Sequence, residues 1–306
     1  MTSRANFPRR TASRAAMNPP LETVHEESVL KARDGVRLYA QYWKPSSDAK
    51  AVVCIIHGGL EHSGRYAHVA KVLNNSAYLV AAIDLRGHGR SQGRRVFVRS
   101  FDEYLNDVRC LWADVAVKAP GKPVFLLGNS LGGLIATWFT ILERPPLAGL
   151  VLTGPLFEFG SGISWLARML ALVLSKLLPT LALANAVDTR KISRDPEVVR
   201  SYRADPLNHH GGMPVRTGTE VMRVMAQVNA RMEEVKVPFL IFHGTSDGLA
   251  HPAGSKRLYS RAASTDKTFR LCEGLFHEVL NEPEHPALLA DLVRWLDAHM
   301  PPRRGA

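Results

Sequence analysis

The segment VFLLGNSLGGLIATWFTIL (124–142) decides how the rest of the chain is read. It opens with a short apolar run of strand type, VFLL, and closes with LGGLIATWFTIL, which reads as a helix. Between them Gly128 and Gly132 stand two residues to either side of Ser130. Strand, sharp turn and helix in that order form the setting of a nucleophile elbow, in which the turn lifts a serine hydroxyl above the sheet at a helix N-terminus. Glycines are needed at those two places because side chains there would collide with the tight turn. The same spacing also occurs in ordinary chain turns, so the surroundings carry the decision.

Short, nearly continuous apolar runs recur on both sides: AVVCIIH (51–57), YLVAAID (78–84), GLVLT (149–153), PFLIFH (238–243) and TFRLCE (268–273). Runs of this kind are typical of parallel strands buried on both faces. Upstream, ESVLKARDGVRLYAQYW (27–43) reads as two strands joined at Asp34-Gly35, a hairpin signal. FDEYLNDVRCLWADVAVKA (101–119) places Tyr104, Leu105, Val108, Leu111, Trp112 and Val115 on one side of a helix. Strands alternating with helices predict an α/β domain with a mostly parallel sheet. The rhythm breaks once, in the stretch between GLVLT and PFLIFH. That stretch is too long for one crossover helix and too patterned for a loop. The expected organisation is a core of residues 22–155 and 237–300, a cap (lid) inserted at 156–236, and tails at 1–21 and 301–306.

Within the insertion, SWLARMLALVLSKLL (164–178) has an unusually wide apolar face. Placed on a helix, Ser164, Arg168, Ala171 and Ser175 share one narrow stripe, and Trp165, Leu166, Met169, Leu170, Leu172, Val173, Leu174, Leu177 and Leu178 cover the rest. Two readings follow: a cap helix packed between neighbours, or an interfacial helix lying on membrane or lipid. The segment is too short and too charged for a membrane span.

The 306 residues, 46% of them hydrophobic, suffice for one substantial domain with an insertion. Three cysteines, Cys54, Cys110 and Cys272, cannot all pair and are far apart, which suggests buried thiols in a reducing compartment. The formal net charge of +11 invites a nucleic-acid reading. However, more than half of the excess sits at the termini, on Arg4, Arg9, Arg10, Arg14, Arg303 and Arg304. No basic stripe runs through the body, so no nucleic-acid partner is expected. A mild attraction to anionic membrane surfaces fits the charge as well. The expected location is cytoplasmic, peripheral on membranes. The alternative is an organelle address in the Arg-rich, acid-free first twenty residues, which otherwise read as a disordered tail.

A serine hydroxyl is a poor nucleophile at neutral pH; it needs a base within reach, and the base needs a carboxylate to orient it. In α/β-hydrolases these follow in the order serine, acid, histidine. Asp247 lies just past the strand PFLIFH and His277 just past the last strand, both in loops where ligands meet open α/β sheets. Asp266 precedes its strand, His251 follows the wrong one, and His285 belongs to the final helix. The backbone N–H of Leu131, next after the serine, and that of Gly59, in the loop after an early strand, are the expected oxyanion donors. The twelve histidines show no metal-ligand spacing, and phosphate-binding and dinucleotide-binding motifs are missing, so neither metal nor cofactor is implied.

HGGLEHSGRY (57–66) and DLRGHGRSQGRR (84–95) now point to a family, together with GNSLGG (128–133), YRADPL (202–207), VPFLIFHGTSD (237–247) and DKTFRLCEGLFHEVLNE (266–282). From about residue 25 to 300 the chain resembles the monoacylglycerol lipase branch of the α/β-hydrolases, also described as lysophospholipase-like or serine aminopeptidase-like hydrolases. The resemblance implies an α/β-hydrolase fold: a mostly parallel central sheet flanked by helices, with a helical cap inserted before the last two strands. It implies hydrolysis of monoacylglycerol esters through an acyl-enzyme, with Ser130, Asp247 and His277 as triad and Gly59 and Leu131 at the oxyanion. The cap would form an apolar acyl tunnel whose mouth touches membranes. Glu61, Arg65 and Tyr202 would recognise glycerol; the competing reading of Glu61 and Arg65 is an ion pair bracing the oxyanion loop. The alternatives are a lysophospholipase, a general carboxylesterase or acyltransferase with the same triad, and a non-catalytic ligand-binding protein on this fold. Acyl length, head group and oligomeric state are not encoded in these motifs.

The chain departs from the family pattern at three places. The family usually has histidine where Asn129 stands, methionine at Leu131, and often glycine at Leu60. Only the backbone of Leu131 is required, whereas a bulky Leu60 reshapes the entrance. Asn129 is expected to support the elbow through hydrogen bonds without titrating.

Overall fold

A computed structural model describes residues 24–160, 164–182 and 187–302. The expectations for the N-terminal tail, for residues 303–306 and for cap residues 161–163 and 183–186 lie outside the described residues.

The hairpin is built from β1 (Val24–Lys31) and β2 (Arg37–Lys44), with Gly35 at φ +85° in the turn between them. Then β3 (Ala51–Ile56), β4 (Tyr78–Ile83), β5 (Val124–Asn129), β6 (Leu147–Thr153), β7 (Phe239–Gly244) and β8 (Lys267–Cys272) complete one eight-stranded sheet in the order β1-β2-β4-β3-β5-β6-β7-β8. β1–β2 and β2–β4 pair antiparallel; every other pair is parallel. All residues of β3, β4 and β7 are buried, which explains their unbroken apolar sequence.

The pleat divides the core in two. Val52, Cys54 and Ile56 face the side covered by α2 (Asp102–Lys118) and α3 (Leu131–Glu143). Val53 and Ile55 face α1 (Ala67–Asn75) and α8 (His285–Ala298). The strand order reverses at β3, which has β4 on one side and β5 on the other. The loops after β3 and β5 therefore open at a topological switch point, the place where such sheets bind ligands. These two loops carry Gly59 and Ser130.

Between β6 and β7 lie α4 (Trp165–Leu177), α5 (Pro196–Ala204) and α6 (Val215–Ala230). α6 buries Val221, Val224 and Val228 in the same core as α3, and α4 rests on α6. Of the two readings of the α4 segment, burial between neighbours is not what forms. Only the second half of the small, polar stripe turns inward, while Ser164 and Arg168 are exposed: Ala171 is half-buried and Ser175 is buried, its hydroxyl sharing a hydrogen bond of 3.0 Å with that of Thr219 on α6. Trp165, Leu166, Met169, Leu170, Leu172, Val173 and Leu177 are all exposed, Trp165 by 75%. Small residues at i and i+4, Ala171 and Ser175, let the helix approach α6; the long side chains have no such room. Among the described residues, no helix is long and apolar enough to cross a membrane. The remaining helix, α7 (Pro252–Arg261), packs beside β7 and β8.

Candidate active site

Ser130 joins β5 to α3 with φ 52° and ψ −116°. Such backbone costs a non-glycine residue about 1–3 kcal/mol and persists only where the surroundings impose it. Here the Ser130 N–H donates to the Thr153 carbonyl at 3.0 Å. The Ser130 carbonyl accepts from Leu134 (3.1 Å) and Leu156 (3.0 Å). The flanking glycines are required by close approach: a Cβ on Gly128 would lie 2.4 Å from the Gly132 carbonyl oxygen, and one on Gly132 would lie 2.1 Å from that of Ile56.

His277 Nδ1 donates to Asp247 Oδ2 at 2.7 Å, and both side chains are buried. Asp247 Oδ1 accepts the N–H groups of Leu249 (2.8 Å) and Ala250 (2.9 Å). Burial favours the protonated carboxyl of Asp247, but His277 and His243 outweigh it and hold the group well below the usual carboxylate range. Burial likewise works against an imidazolium at His277. The Asp247 charge and hydrogen bond, with Glu278 and Glu61 nearby, outweigh burial and raise His277 above its ordinary value. Ser130 and His277 line one cavity, together with Gly59, Leu131, Glu61 and Tyr202. Among the described residues no hydrogen bond joins Ser130 to the His277 ring; in acyl-transfer sites this link commonly tightens only around substrate.

Neither the Gly59 nor the Leu131 N–H meets an acceptor among the described residues. Leu131 is buried and Gly59 half-buried; two uncommitted N–H groups beside a serine suit a developing oxyanion. The Gly59 loop is held by neutral and charged partners alike. His57 donates from Nδ1 to the Gly58 carbonyl (2.7 Å) and accepts the Leu85 N–H at Nε2 (2.9 Å); burial lowers its pKa to about 4. Leu60 adopts φ +66°, a left-handed conformation that favours glycine. Its carbonyl accepts from the Tyr202 hydroxyl (3.2 Å) and the His209 N–H (2.9 Å).

Glu61 is the centre of a buried network. Oε1 accepts the Gly58 N–H (2.6 Å), the Tyr66 hydroxyl (2.8 Å) and the Asn129 amide (3.2 Å), while Arg65 pairs with Oε2. Burial opposes ionisation of Glu61, but Arg65 and these donors lower its pKa on balance. Arg65 also binds both oxygens of Glu278, each at 2.6 Å, and its guanidinium lies 4.8 Å from the centre of the Tyr202 ring. Arg65 thus stands behind the wall, as Asp247 stands behind His277; neither lines the cavity. Asn129 links this network to the sheet, since its Oδ1 accepts the Thr153 hydroxyl at 2.8 Å. Asn129 and Glu278 also line the cavity, and Leu60, Leu156, Phe159, Val187, Ile192, Met213 and Leu249 form its apolar wall. The cap segment fastens directly to the histidine loop, with the Glu278 N–H donating to the Ile192 carbonyl at 2.7 Å.

Two residues that sequence reasoning passed over belong here. His243, next to last in β7, stands 3.1 Å from Asp247 Oδ2. Its only signal was a titratable side chain closing the apolar run PFLIFH. Glu278 follows His277 and lines the cavity, yet nothing local to its sequence announces its partner Arg65 on a distant loop.

The family profile Hydrolase_4, described as "Serine aminopeptidase, S33", matches residues 47–284. The chain belongs to this family. As a Hydrolase_4 member with the α/β-hydrolase fold, it is a serine ester hydrolase. It is similar to the monoacylglycerol lipase of Mycolicibacterium smegmatis, with 38% identity over 87% of this chain and 95% of that protein. It is similar at 38% to the monoglyceride lipase of Homo sapiens, over 81% of this chain and 82% of the other. Among solved structures, the monoacylglycerol lipase of Paleococcus ferrophilus superposes with a TM-score of 0.77 at 31% identity, covering 86% of this chain and 99% of that one.

Proposed function

We propose that this hydrolase cleaves monoacylglycerols through an acyl-enzyme formed on Ser130. The observation that carries the reading is one cavity holding a strained serine, the His277–Asp247 pair and two uncommitted backbone N–H groups, closed by an apolar wall. In the first half-reaction the Ser130 oxygen attacks the ester carbonyl while His277 Nε2 takes its proton, and Asp247 stabilises the imidazolium. The N–H groups of Gly59 and Leu131 hold the oxyanion. Collapse expels the glycerol alkoxide, which His277 protonates. Water then repeats the sequence on the acyl-enzyme and releases the fatty acid. The acyl chain lies along the apolar wall that residues 156–236 complete as a cap. The glycerol end meets Glu61 and Tyr202, with Arg65 fixing both from behind. The outward apolar face of α4 docks the molecule on lipid surfaces, from which such substrates are drawn.

The test is a panel of monoacylglycerols, lysophosphatidylcholine and p-nitrophenyl butyrate, run on wild type and Ser130→Ala. Cleavage of monoacylglycerol ahead of lysophosphatidylcholine is expected, with loss of about a thousandfold or more in Ser130→Ala. Undiminished turnover in Ser130→Ala sinks the nucleophile assignment, and a preference for lysophosphatidylcholine sinks the substrate.

A further inference from the structure

His243 is fully buried near the end of β7. Its Nε2 stands 3.1 Å from Asp247 Oδ2 and 3.0 Å from the Ala250 carbonyl oxygen. Both neighbours are acceptors, so Nε2 carries a hydrogen. On the other side of the ring, Nδ1 lies 2.7 Å from the Ser255 hydroxyl on α7, which can donate to it. The ring is therefore clamped in orientation and in tautomer. Asp247 Oδ2 takes the His277 N–H, and Oδ1 takes two N–H groups from the backbone; the His243 Nε2–H is bonded to the Ala250 carbonyl and has Asp247 Oδ2 as a second oxygen close by, at 3.1 Å.

We propose that His243 is a positioning residue for ester hydrolysis at this site: its Nε2–H fixes the Asp247 carboxylate against His277 and shares the charge that sets the basicity of His277. The inference rests on the reading of Ser130, His277 and Asp247 as the reacting triad. A carboxylate that accepts several donors is a weaker base, and its pull on any one of their protons is moderated. Without the His243 donor, more of the negative charge falls on His277. That histidine then holds its own proton more tightly and is less available as a base at a given pH. The carboxylate also loses one of the two contacts that keep Oδ2 in place. The titratable groups facing His277 are Asp247, Glu278 and Glu61, with Arg65 held between the two glutamates. The titratable group facing the His243 ring is Asp247; from β8, Cys272 meets only the His243 backbone. None of these is altered by the substitutions below.

The experiment measures kcat and KM for p-nitrophenyl butyrate across pH in wild type, His243→Leu and His243→Gln, each normalised to active sites titrated with a fluorophosphonate. In His243→Leu, kcat falls about tenfold or more, KM stays within about twofold, and the acid limb of kcat/KM moves up by about half a unit or more. His243→Gln, whose amide N–H can stand in for Nε2–H, returns the limb to the wild-type position and recovers most of kcat. If the Leu protein does not fold, His243→Met, which also lacks a donor, takes its place under the same criteria. An acid limb at the wild-type position in the folded variant without the donor overturns the proposal, because a purely structural role lowers activity without moving a titration. A Gln variant that behaves like the Leu variant overturns it too. His277→Ala and Ser130→Ala separate the two levels: activity surviving in either one removes the triad reading itself. If both are inactive while the His243 variants match wild type, only the present inference falls.

Discussion

Gly132 has no room for a side chain, since the added Cβ would press on the backbone oxygens of Ile56 and His57 on the neighbouring strand and loop. Neither obstacle is a flexible side-chain end that can swing away. Gly132→Ala should destabilise the protein by about 3 kcal/mol, read as a shift in the urea midpoint with unchanged slope. A cost below about 1 kcal/mol would mean that the elbow is looser than described. This residue was legible in the sequence, because steric demand at a tight turn depends on near neighbours alone. So were the strand ends that carry Ser130, Asp247 and His277. The partners of Asn129 were not legible. That its side chain bridges Glu61 and Thr153 depends on how three separate segments meet at the carboxyl ends of the sheet. The left-handed conformation of Leu60 was hidden for a related reason. Nothing in the leucine itself announces it; only the family habit of glycine at that position hinted at a backbone need.

At the scale of elements, α4 is the telling case. Its periodicity gave a wide apolar face, but periodicity says which residues share a side and not what lies opposite. The structure sets the Ala171 and Ser175 side of the helix on α6 and leaves the apolar side exposed, so that side contributes little to folding. The triple substitution Leu166→Ser, Leu170→Ser and Val173→Ser, all at exposed positions, should change unfolding free energy by less than about 1 kcal/mol. It should lower hydrolysis of monoacylglycerol presented in vesicles while leaving p-nitrophenyl butyrate turnover in buffer intact. Equal losses on both substrates would count against a docking role. The buried Ser175 marks the opposite side of the same helix, where hydroxyl meets hydroxyl across the interface with α6.

For the molecule as a whole, the sheet order follows from alternation of apolar runs and helical stretches, and the one long gap in that rhythm is where α4, α5 and α6 lie. What the linear pattern could not supply was the buried polar layer beneath the loop that carries Gly59. His57 and His88 are both fully enclosed, and burial lowers them to about 4 and about 3. Both pKa values lie below the unfolded value of about 6.5. Their contribution to stability is therefore complete above that pH and is lost as pH falls toward the folded values. His277, shifted the other way, contributes fully below about pH 6.5 and less at pH 7, so acidification restores part of its contribution and offsets some, but not all, of the loss from two histidines. Urea unfolding at pH 5 should consequently show a few kcal/mol less stability than at pH 7. A flat profile over that interval would contradict the neutral, enclosed state of these rings.

The bond from the Glu278 amide to the Ile192 carbonyl ties the cap segment to the residue next to His277. Ile192 also lines the cavity, so one residue both walls the apolar side of the site and holds the backbone beside His277. A change at Ile192 that altered the fit of an acyl chain would therefore also reach the orientation of the imidazole.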